Sequence, residues 1–508
     1  MNPGLFPYLQ TKLMSPLETE NKVLKEENFL LKAENAQLKK LLFSAKRERY
    51  VSEQDPNQGR LFEQEDQATP PVEQEQVLRS KKKPQKARRP IKRNTFPASL
   101  RREEQIIEPT GVDISKLSKI GEDITELLAY VPADLYVKRI IRPRYVNKAD
   151  QEQGVSQANI PLRLIPKGMV DESLVAQIIV EKILFHTPIH RFRKKLKQAG
   201  LGFISENNLH NWFHTAAHSL RPIYHLLHQD LLAQPYNQVD ETRITVLTKN
   251  KPGASHRGYF WVLHNPKLKA VFFQYDARRS AKAGHLLLDG FSGILQADGY
   301  SVYETVERKQ DLHLIHCMAH ARRKFVEAQN TDPPRANYFL EQAQKLYRIE
   351  RQAREQKMDE AKRLQLRQHK AIPILEELGA WLKEQYTSTC LLPQSPIGKA
   401  IAYSLKRWKG LYAYAHDGQL EIDNNLVENT IRPVALGRKN YLFAGSDQAA
   451  QNLACLYSII GTCNNWGLNA HRYLTWLLRQ VANNKVTPEA IQWLPQNMDK
   501  QLLKTFME

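Results

Sequence analysis

Cysteine is scarce in this chain of 508 residues. Only four are present, Cys317, Cys390, Cys455 and Cys463, and no two of them have the Cys-x-x-Cys spacing of a zinc or redox site. The scarcity argues against a disulfide framework and is typical of a protein that folds in a reducing cytoplasm.

Long apolar runs are absent too. No run approaches the roughly 20 residues that a membrane helix needs, and the N-terminus lacks the apolar segment of a secretion signal. We therefore expect a cytoplasmic chain with no membrane partner.

Acidic residues are fewer than basic residues. Lys and Arg number 74 and Asp and Glu 54, which gives a formal net charge of +20. Such an excess favours a polyanionic partner, as expected of a nucleic-acid enzyme associated with the nucleoid, and a membrane surface could also attract it. The length of the chain also predicts several domains.

Two of the acids lie where strands are predicted. A three-stranded meander is predicted by β-branched, apolar and aromatic runs at residues 242–247, 258–263 and 270–275. Asp240 opens the first run, and Asp298 ends a short buried strand at 294–297. Helical periodicity at 278–291, a short helix after Asp298 and a strand at 312–316 complete the order β-β-β-α-β-α-β. That order is typical of an RNase H-like α/β core, in which the two acids lie near each other.

A third acid, Glu428, is predicted in the first turns of a helix. Asp423 is expected to cap that helix, and Pro433 should bend or end it. Two divalent cations about 4 Å apart need bridging and flanking carboxylates to activate an attacking oxygen and stabilise a leaving one. Asp240, Asp298 and Glu428 can supply them. Several nearby acids are alternatives for these roles: Asp276, Asp289, Asp311 and Asp423.

Four blocks of sequence resemble the DDE transposases of the insertion-sequence sixty-six family. They are residues 240–242, 297–300, 317–325 and 422–446, and the last block is the most specific. The resemblance covers the chain from about residue 17 to residue 480. It implies that Asp240, Asp298 and Glu428 are metal-binding catalytic residues. The implied cofactor is Mg²⁺, as two ions, for which Mn²⁺ can substitute.

The resemblance also implies a function. We expect a transposase that binds the terminal inverted repeats of its own element and target DNA, and that catalyses metal-dependent strand cleavage and strand transfer. Proteins encoded by the same element are candidate accessory partners. Two alternatives stay open: an RNase H-like nuclease without joining activity, and a catalytically silent, transposase-derived DNA-binding regulator.

Residues 1–50 contain a heptad pattern. It consists of Leu17, Leu24, Leu31 and Leu38, with Asn21, Asn28 and Asn35 four positions after the first three. Asn at this core position lowers stability but specifies a dimer in register. We predict a leucine-zipper-like coiled coil that forms a homodimer or part of a higher multimer. A single amphipathic helix packed on its own chain is the alternative.

Residues 51–102 are predicted to be a disordered linker that ends in a basic run. The run includes Lys81, Lys82, Lys83, Arg88, Arg89, Lys92 and Arg93. These side chains can neutralise phosphates, with the Arg-Pro core in a minor groove. We predict non-specific DNA contact, and a solvated tail is the alternative.

Residues 103–170 match the non-ligand framework of a small zinc module found in the family. The Cys ligands are missing, because residues 108–111 and 146–148 occupy the places of the two Cys pairs. Structural zinc needs about four Cys or His ligands. We therefore expect no structural zinc and a β-rich module held by packing alone.

Residues 171–232 are predicted to be helical and to contain a helix-turn-helix-like pair. The basic segment 190–199 is followed by a break at 200–202 and by a helix at 206–218 that Ser205 can cap. Expected phosphate contacts in the first helix include Arg191, Lys194 and Lys195. Base recognition by the second helix and plain helical packing are both open.

The rest of the chain divides into a first core part, 233–320, a helical insertion, 321–420, a second core part, 421–480, and a C-terminal tail, 481–508. In the second core part, Arg432, Arg438 and Lys439 are predicted to hold a scissile phosphate or flanking strand.

The cluster His316, Cys317 and His320 suggests a metal site. Without a fourth ligand, a packed helix start is the better interpretation.

The heptad pattern predicts that residues 17–42 self-associate as a parallel dimer, because Asn at the core positions specifies two strands in register. Sedimentation of the full chain and of a chain lacking residues 1–50 measures this. The shorter chain should have a lower mass per particle, and an unchanged assembly state would remove the zipper interpretation.

Overall fold

The computed structural model describes residues 162–166, 168–248, 253–388 and 391–505, together with residue 135 and two short strands. The predicted coiled coil, linker and basic run lie outside these residues. The two strands, β1 (Arg144–Val146) and β2 (Val155–Gln157), pair antiparallel. They belong to a compact unit, residues 46–158, that is distinct from the unit containing residues 159–508.

A five-stranded mixed sheet forms the centre of the larger unit. Its strands are β3 (Tyr236–Leu247), β4 (Ser255–Asn265), β5 (Ala270–Asp276), β6 (Gly293–Ala297) and β7 (Leu312–His316). The spatial order is β5-β4-β3-β6-β7, with the β3, β4 and β5 pairings antiparallel and the β3, β6 and β7 pairings parallel. The predicted meander is confirmed. β3 begins before the predicted run, so Asp240 lies within a strand and not at its start.

Two helices connect the later strands, α5 (Ala281–Leu287) and α6 (Ser301–Glu307). The prediction of helix over 278–291 was too long. Ser280 caps α5 by accepting the N–H of Ala283, and Gly290, with φ +82°, turns the chain back toward β6. A left-handed residue cannot continue a helix, so α5 is limited to two turns.

Four helices precede the sheet, and they match the predicted helical region. They are α1 (Glu172–Ile183), α2 (Ile189–Gln198), α3 (Glu206–Ser219) and α4 (Arg221–Leu232). Gly200, with φ +83°, follows α2, and the Ser205 hydroxyl accepts the N–H of Asn208 at 3.1 Å, as expected for the N-cap of α3. The apolar faces of these helices join the core beneath the sheet.

A helical insertion with its own core separates β7 from the last helices. Its helices are α7 (Met318–Ala328), α8 (Pro333–Glu355), α9 (Glu360–Thr387), α10 (Pro396–Lys406) and α11 (Trp408–Tyr412), followed by a 3₁₀ turn at Ala413–His416. Phe325 and Phe339 stack in this second core with ring centroids 3.7 Å apart. The predicted helical character of this region is therefore confirmed.

Four helices close the unit, α12 (Asn425–Tyr441), α13 (Asp447–Asn465), α14 (Ala470–Asn483) and α15 (Lys500–Thr505). Pro433 was expected to bend or end the helix; it does not end it, because α12 continues to Tyr441, and the bend stays a prediction. A proline inside a helix removes the bond to the carbonyl four residues earlier, and its ring crowds that carbonyl. Contacts to β3 hold α12 on both sides of Pro433 and offset this cost. The N-cap is Asn424, one residue later than predicted, although the Asp423 carboxylate does accept the N–H of Asn425 at 3.1 Å.

The segment predicted as a C-terminal tail packs onto the core. The hydroxyl of Tyr473 donates to the carbonyl of Trp493 at 2.8 Å, and the Gln496 amide donates to Asp230 at 2.8 Å. Leu494 is fully buried. Part of this segment forms 3₁₀ turns at Pro488–Trp493 and Pro495–Asn497.

Helix α13 protects the edge of the sheet. β5 is an edge strand, and its backbone N–H groups would otherwise be free to pair with another chain. The hydroxyls of Ser458 and Thr462 accept the N–H groups of Phe273 at 2.8 Å and Val271 at 3.0 Å.

In the described part of the chain, no helix combines the length and hydropathy required to cross a bilayer.

A buried arginine organises the insertion. Arg367 has no exposed surface and donates to both carboxylate oxygens of Glu350 at 2.8 Å. It also donates to the carbonyls of Tyr414, Asp417 and Leu420. Burial alone would raise the pKa of Glu350, but hydrogen bonds and charge from Arg367, with Arg363, outweigh it and lower the pKa. This stabilisation is present above the ordinary glutamate pKa and is lost as pH falls through the lowered one.

Replacing Arg367 by Ala should destabilise the chain by about 3–5 kcal/mol, because it leaves the buried Glu350 carboxylate and three carbonyls short of donors. Thermal unfolding of the full chain measures the effect. Lys370→Ala, on the exposed face of the same helix, is the matched control and should change stability by less than about 0.5 kcal/mol. Equal unfolding temperatures for the two variants would contradict this account of the insertion.

Candidate active site

Asp240 and Asp298 occupy matching positions on neighbouring parallel strands. The β3–β6 register pairs Asn237 with Leu295 and Gln238 with Gln296. Asp240 lies two residues further along β3, and Asp298 directly follows the last residue of β6, two residues beyond Gln296. Because side chains alternate across a strand, Asp240 lies on the same face of the sheet as Gln238, and Asp298 is near enough for its charge to raise the pKa of Asp240.

That face carries a buried network of amides. Gln238 Nε2 donates to Gln296 Oε1 at 2.9 Å and to the carbonyl of Asp423 at 2.9 Å. Gln296 Nε2 donates to the carbonyl of Glu421 at 2.8 Å, and the Tyr236 hydroxyl donates to Gln296 Oε1 at 2.6 Å. The network holds residues 421–423, which lead directly into α12, against the two strands that carry the acids.

The far half of α12 is held by the same strand. Arg438 donates to the hydroxyl of Thr242 at 3.0 Å and to the carbonyl of Arg243 at 2.5 Å. Beyond the helix, Ala444 forms a parallel bridge with Val246. Both ends of the helix that carries Glu428 are therefore fixed to the strand that carries Asp240.

Glu428 lies near the two aspartates and between two basic side chains. His320 Nε2 is 3.6 Å and Arg323 Nη2 3.8 Å from its carboxylate oxygens. The pKa of Glu428 is raised, mainly by burial. The charge of Arg323 lowers this pKa, and the charges of Asp423 and Asp298 raise it further. Neither His320 nor Arg323 was predicted from the sequence as part of the site.

Asp240 has a pKa well above its usual range. Burial is the main cause, and the charges of Glu241, Asp298 and Glu428 raise it further. Among the described residues, neither Asp240 nor Asp298 forms an ion pair with a basic side chain. Glu241 differs: it lies on the opposite face, where it accepts from Arg279 Nε at 2.8 Å and from the Tyr303 hydroxyl at 2.9 Å. The excess negative charge therefore lies on the Asp240 face.

The three acids lie near one another but do not form a complete metal-binding site. Within the described ranges, no three His, Cys, Asp or Glu side chains stand close enough together to hold a metal ion. The donors are nevertheless of the right kind, since carboxylate oxygens suit Mg²⁺ and, in the part of the chain that the structure describes, Asp240 and Asp298 form no ion pair with a basic side chain. Glu428 has to turn from His320 and Arg323 toward the aspartates to join a shared ion.

The insertion contacts the end of β6 directly. The Tyr403 hydroxyl donates to the carbonyl of Asp298, and Arg407 Nη2 donates to the carbonyl of Gly299 at 2.8 Å. Arg407 also lies over the Tyr403 ring at 4.2 Å. Sequence periodicity placed these residues in a helical insertion but contained no signal that they reach the site.

The predicted DNA-contact residues are not equivalent. Arg191, Lys194, Arg432 and Lys439 are exposed. Lys195 is paired with Glu181 at 2.9 Å. Arg438 donates to β3 through Nη1, and its contact with DNA stays a prediction. The basic run at 81–93 lies outside the described residues, and its role stays a prediction.

The cluster of His316, Cys317 and His320 has a packing role in the structure. Cys317 is the N-cap residue of α7 and its Sγ accepts the N–H of Asn424 at 3.4 Å. His316 lies against Gly410, where a Cβ would stand 2.3 Å from Nδ1. His320 faces Glu428, as described above.

Comparison with known proteins identifies relatives. A family model described as "Transposase IS66 family" matches residues 167–452. A second, described as "Transposase C of IS166 homeodomain", matches residues 30–104, which lie outside the described residues.

Similar proteins occur in Sinorhizobium fredii (strain NBRC 101917 / NGR234). Uncharacterized protein y4jD is 33% identical over 482 residues, covering 90% of this chain and 92% of the relative. Uncharacterized protein y4qI is 31% identical over 436 residues, covering 82% of this chain and 78% of the relative. No solved structure matches the chain.

Gly299 is predicted to tolerate no side chain. Its φ is +99°, and a Cβ would lie 2.4 Å from Arg407 Nε and 2.8 Å from the Tyr403 hydroxyl. Gly299→Ala should therefore lower the free energy of unfolding by about 1–3 kcal/mol. Thermal unfolding measures this. Gly445→Ala, where a Cβ meets nothing within 4 Å, is the control; equal stability of the two variants would show that the contact between α10 and β6 is not tight.

Proposed function

The chain belongs to the IS66 family of transposases, and from that premise we propose that it binds the terminal inverted repeats of its own insertion element and catalyses metal-dependent DNA strand cleavage and strand transfer. We further propose that the mixed sheet is an RNase H-like core. The observation that carries the proposal is the matching placement of Asp240 and Asp298 on parallel strands, beneath a helix that brings Glu428 to the same face.

Asp240, Asp298 and Glu428 are the residues proposed to hold Mg²⁺. Bound there, the ions would activate an attacking oxygen and stabilise a leaving one. The chemistry of the site supports this role, because clustered carboxylates with few basic partners favour a cation. The raised pKa values of Asp240 and Glu428 imply that protons compete with the ions, so affinity for Mg²⁺ should fall as the pH is lowered.

The other side chains of the site have positioning roles in this proposal. Arg323 balances the charge of Glu428, and His320, whose pKa is lowered by burial, packs against its carboxylate. Tyr403 and Arg407 fix the backbone at Asp298 and Gly299. Phosphoryl transfer depends mostly on positioning and on stabilisation of charge, so rigid placement of these groups is a direct contribution to rate.

DNA binding is proposed to use exposed basic residues. Arg432 and Lys439 lie on the helix of Glu428, one and three turns beyond it, and are suited to hold phosphates that flank the scissile one. Arg191 and Lys194 on α2 can add contacts at a distance. Dimerisation through residues 1–50 would bring two element ends together.

The central prediction concerns the three acids. Asp240→Asn, Asp298→Asn or Glu428→Gln keeps the approximate shape but removes an anionic ligand, so cleavage and joining should fall together by about 100-fold or more. DNA affinity should largely remain, because basic residues elsewhere carry it. An assay with terminal-repeat DNA, Mg²⁺ and a target plasmid measures both steps, and a mobility-shift assay measures binding.

Asp423→Asn is the matched control, because an Asn side chain can still accept the N–H of Asn425. Its activity should stay close to that of the wild type. If the Glu428→Gln variant joins strands at a near wild-type rate, Glu428 is not the third acid. Cleavage without joining by the wild type would favour the nuclease alternative.

A further inference from the structure

A cavity of about 610 Å³ adjoins the helix of Glu428. Its volume is in the range of small-molecule sites. Its walls come from α1, the end of β4, β5, α12 and α13. The floor consists of buried side chains, Ile183, His264, Phe273, Tyr457 and Ile460, and the exposed rim includes Lys269, Leu426, Asn429 and Asn464.

The cavity and the candidate acids lie on opposite flanks of α12. Leu426, Asn429, Thr430 and Pro433 follow the spacing of one helix face and line the cavity. Glu428 projects from the other side, and the exposed residues Asn425 and Arg432 form the ridge between. A helix is roughly 10–12 Å across with its side chains. A DNA strand at about 3.4 Å per nucleotide crosses that distance in roughly three nucleotides.

The polar groups of the cavity suit an uncharged ring. His264 is 5% exposed and its Nδ1 has no hydrogen-bond partner. Burial lowers the pKa of His264 to about 4, so the imidazole is neutral near pH 7. Pro433 has no N–H, which leaves the carbonyl of Asn429 without its usual helical donor. The amides of Asn429, Asn464 and Asn465 add donors and acceptors.

The residues that line the cavity disfavour other classes of ligand. Among the described residues, no acid lines the cavity, so a metal ion has no anionic ligand from them. Lys269 is the single Lys or Arg that these residues place in its wall, which is few for a phosphate. A purely aliphatic ligand would leave the buried polar atoms without partners. Apolar walls with neutral donors and acceptors are the surroundings that proteins provide for nucleobases taken out of the stack.

We propose that this cavity binds one unstacked nucleobase of the DNA strand that crosses α12 from the candidate acids, about three nucleotides from the scissile phosphate. The inference rests on the proposed function, because it needs terminal-repeat DNA at Glu428. It adds a base-binding site, separate from the acids, that fixes the position of the strand during cleavage.

The test combines cavity-blocking variants with DNA that lacks single bases. Asn464→Trp fills the rim from α13, and Leu426→Trp fills it from α12. Gln451→Trp, an exposed position on α13 outside the cavity, is the matched control. The affinity of the full chain for terminal-repeat duplexes is measured without Mg²⁺. Each duplex carries one abasic nucleotide, placed in turn at each of six positions on either side of the cleavage site.

Asn464→Trp and Leu426→Trp should weaken binding of intact duplex by about 5- to 100-fold, the range expected for the loss of one stacked base. The same variants should bind like the wild type when the abasic nucleotide occupies one particular position. At that position, 2-aminopurine in an otherwise intact duplex should change its fluorescence on binding the wild type, and less on binding the variants.

Equal affinities of Asn464→Trp and Gln451→Trp, or a loss that is the same at every abasic position, would overturn the inference and leave the cavity as a feature of packing. If both blocking variants unfold, the 2-aminopurine scan on the wild type decides, and the absence of a position-specific change overturns the inference. Failure of the proposed function is distinct, since the wild type would then neither cleave nor join terminal-repeat DNA.

Discussion

The buried hydrogen bonds between Gln238, Gln296 and residues 421–423 are the constraint on which the rest of the site depends. An amide taken out of water costs stability unless its donors and acceptors are paired. The side-chain N–H groups of Gln238 and Gln296 therefore favour the arrangement in which the carbonyls of residues 421 and 423 accept from them. That arrangement places Glu428 above Asp240 and Asp298, although 130 positions separate Glu428 from Asp298 in the chain.

The helical insertion is part of the site and not an appendage to it. Helix α7 provides His320 and Arg323 beside Glu428, and α10, with the residue that follows it, holds Asp298 and Gly299 through Tyr403 and Arg407. Arg367 binds the carbonyls of residues 414–420, just before the segment that the glutamines hold. The insertion therefore contacts Asp298 and Gly299 through their backbone carbonyls and Glu428 through side chains.

Charge is distributed unevenly around this framework. The chain as a whole has a large basic excess, yet Asp240 and Asp298 have no basic ion-pair partner in the part that the structure describes. Glu241, one residue from Asp240, is neutralised by Arg279 on the opposite face. Within the described residues, Asp240 and its neighbour Glu241 thus differ in charge compensation, and the uncompensated acid is the one proposed to bind a cation.

Local patterns in the sequence were sufficient for several features. The meander, the strands at β6 and β7, the capped helix α3 and the helical nature of the insertion follow from short-range periodicity and turn residues, which report directly on local structure. The motifs around the three acids identified the family, because they combine unusual residues in a fixed order. Only the tertiary structure decided that Arg438 is engaged with β3, that α12 continues through Pro433, and that Gln238, His320, Tyr403 and Arg407 belong to the site. Those facts depend on contacts between residues far apart in the chain, and no local pattern contains them, since a buried hydrogen bond is specified by both partners and the path of the backbone between them.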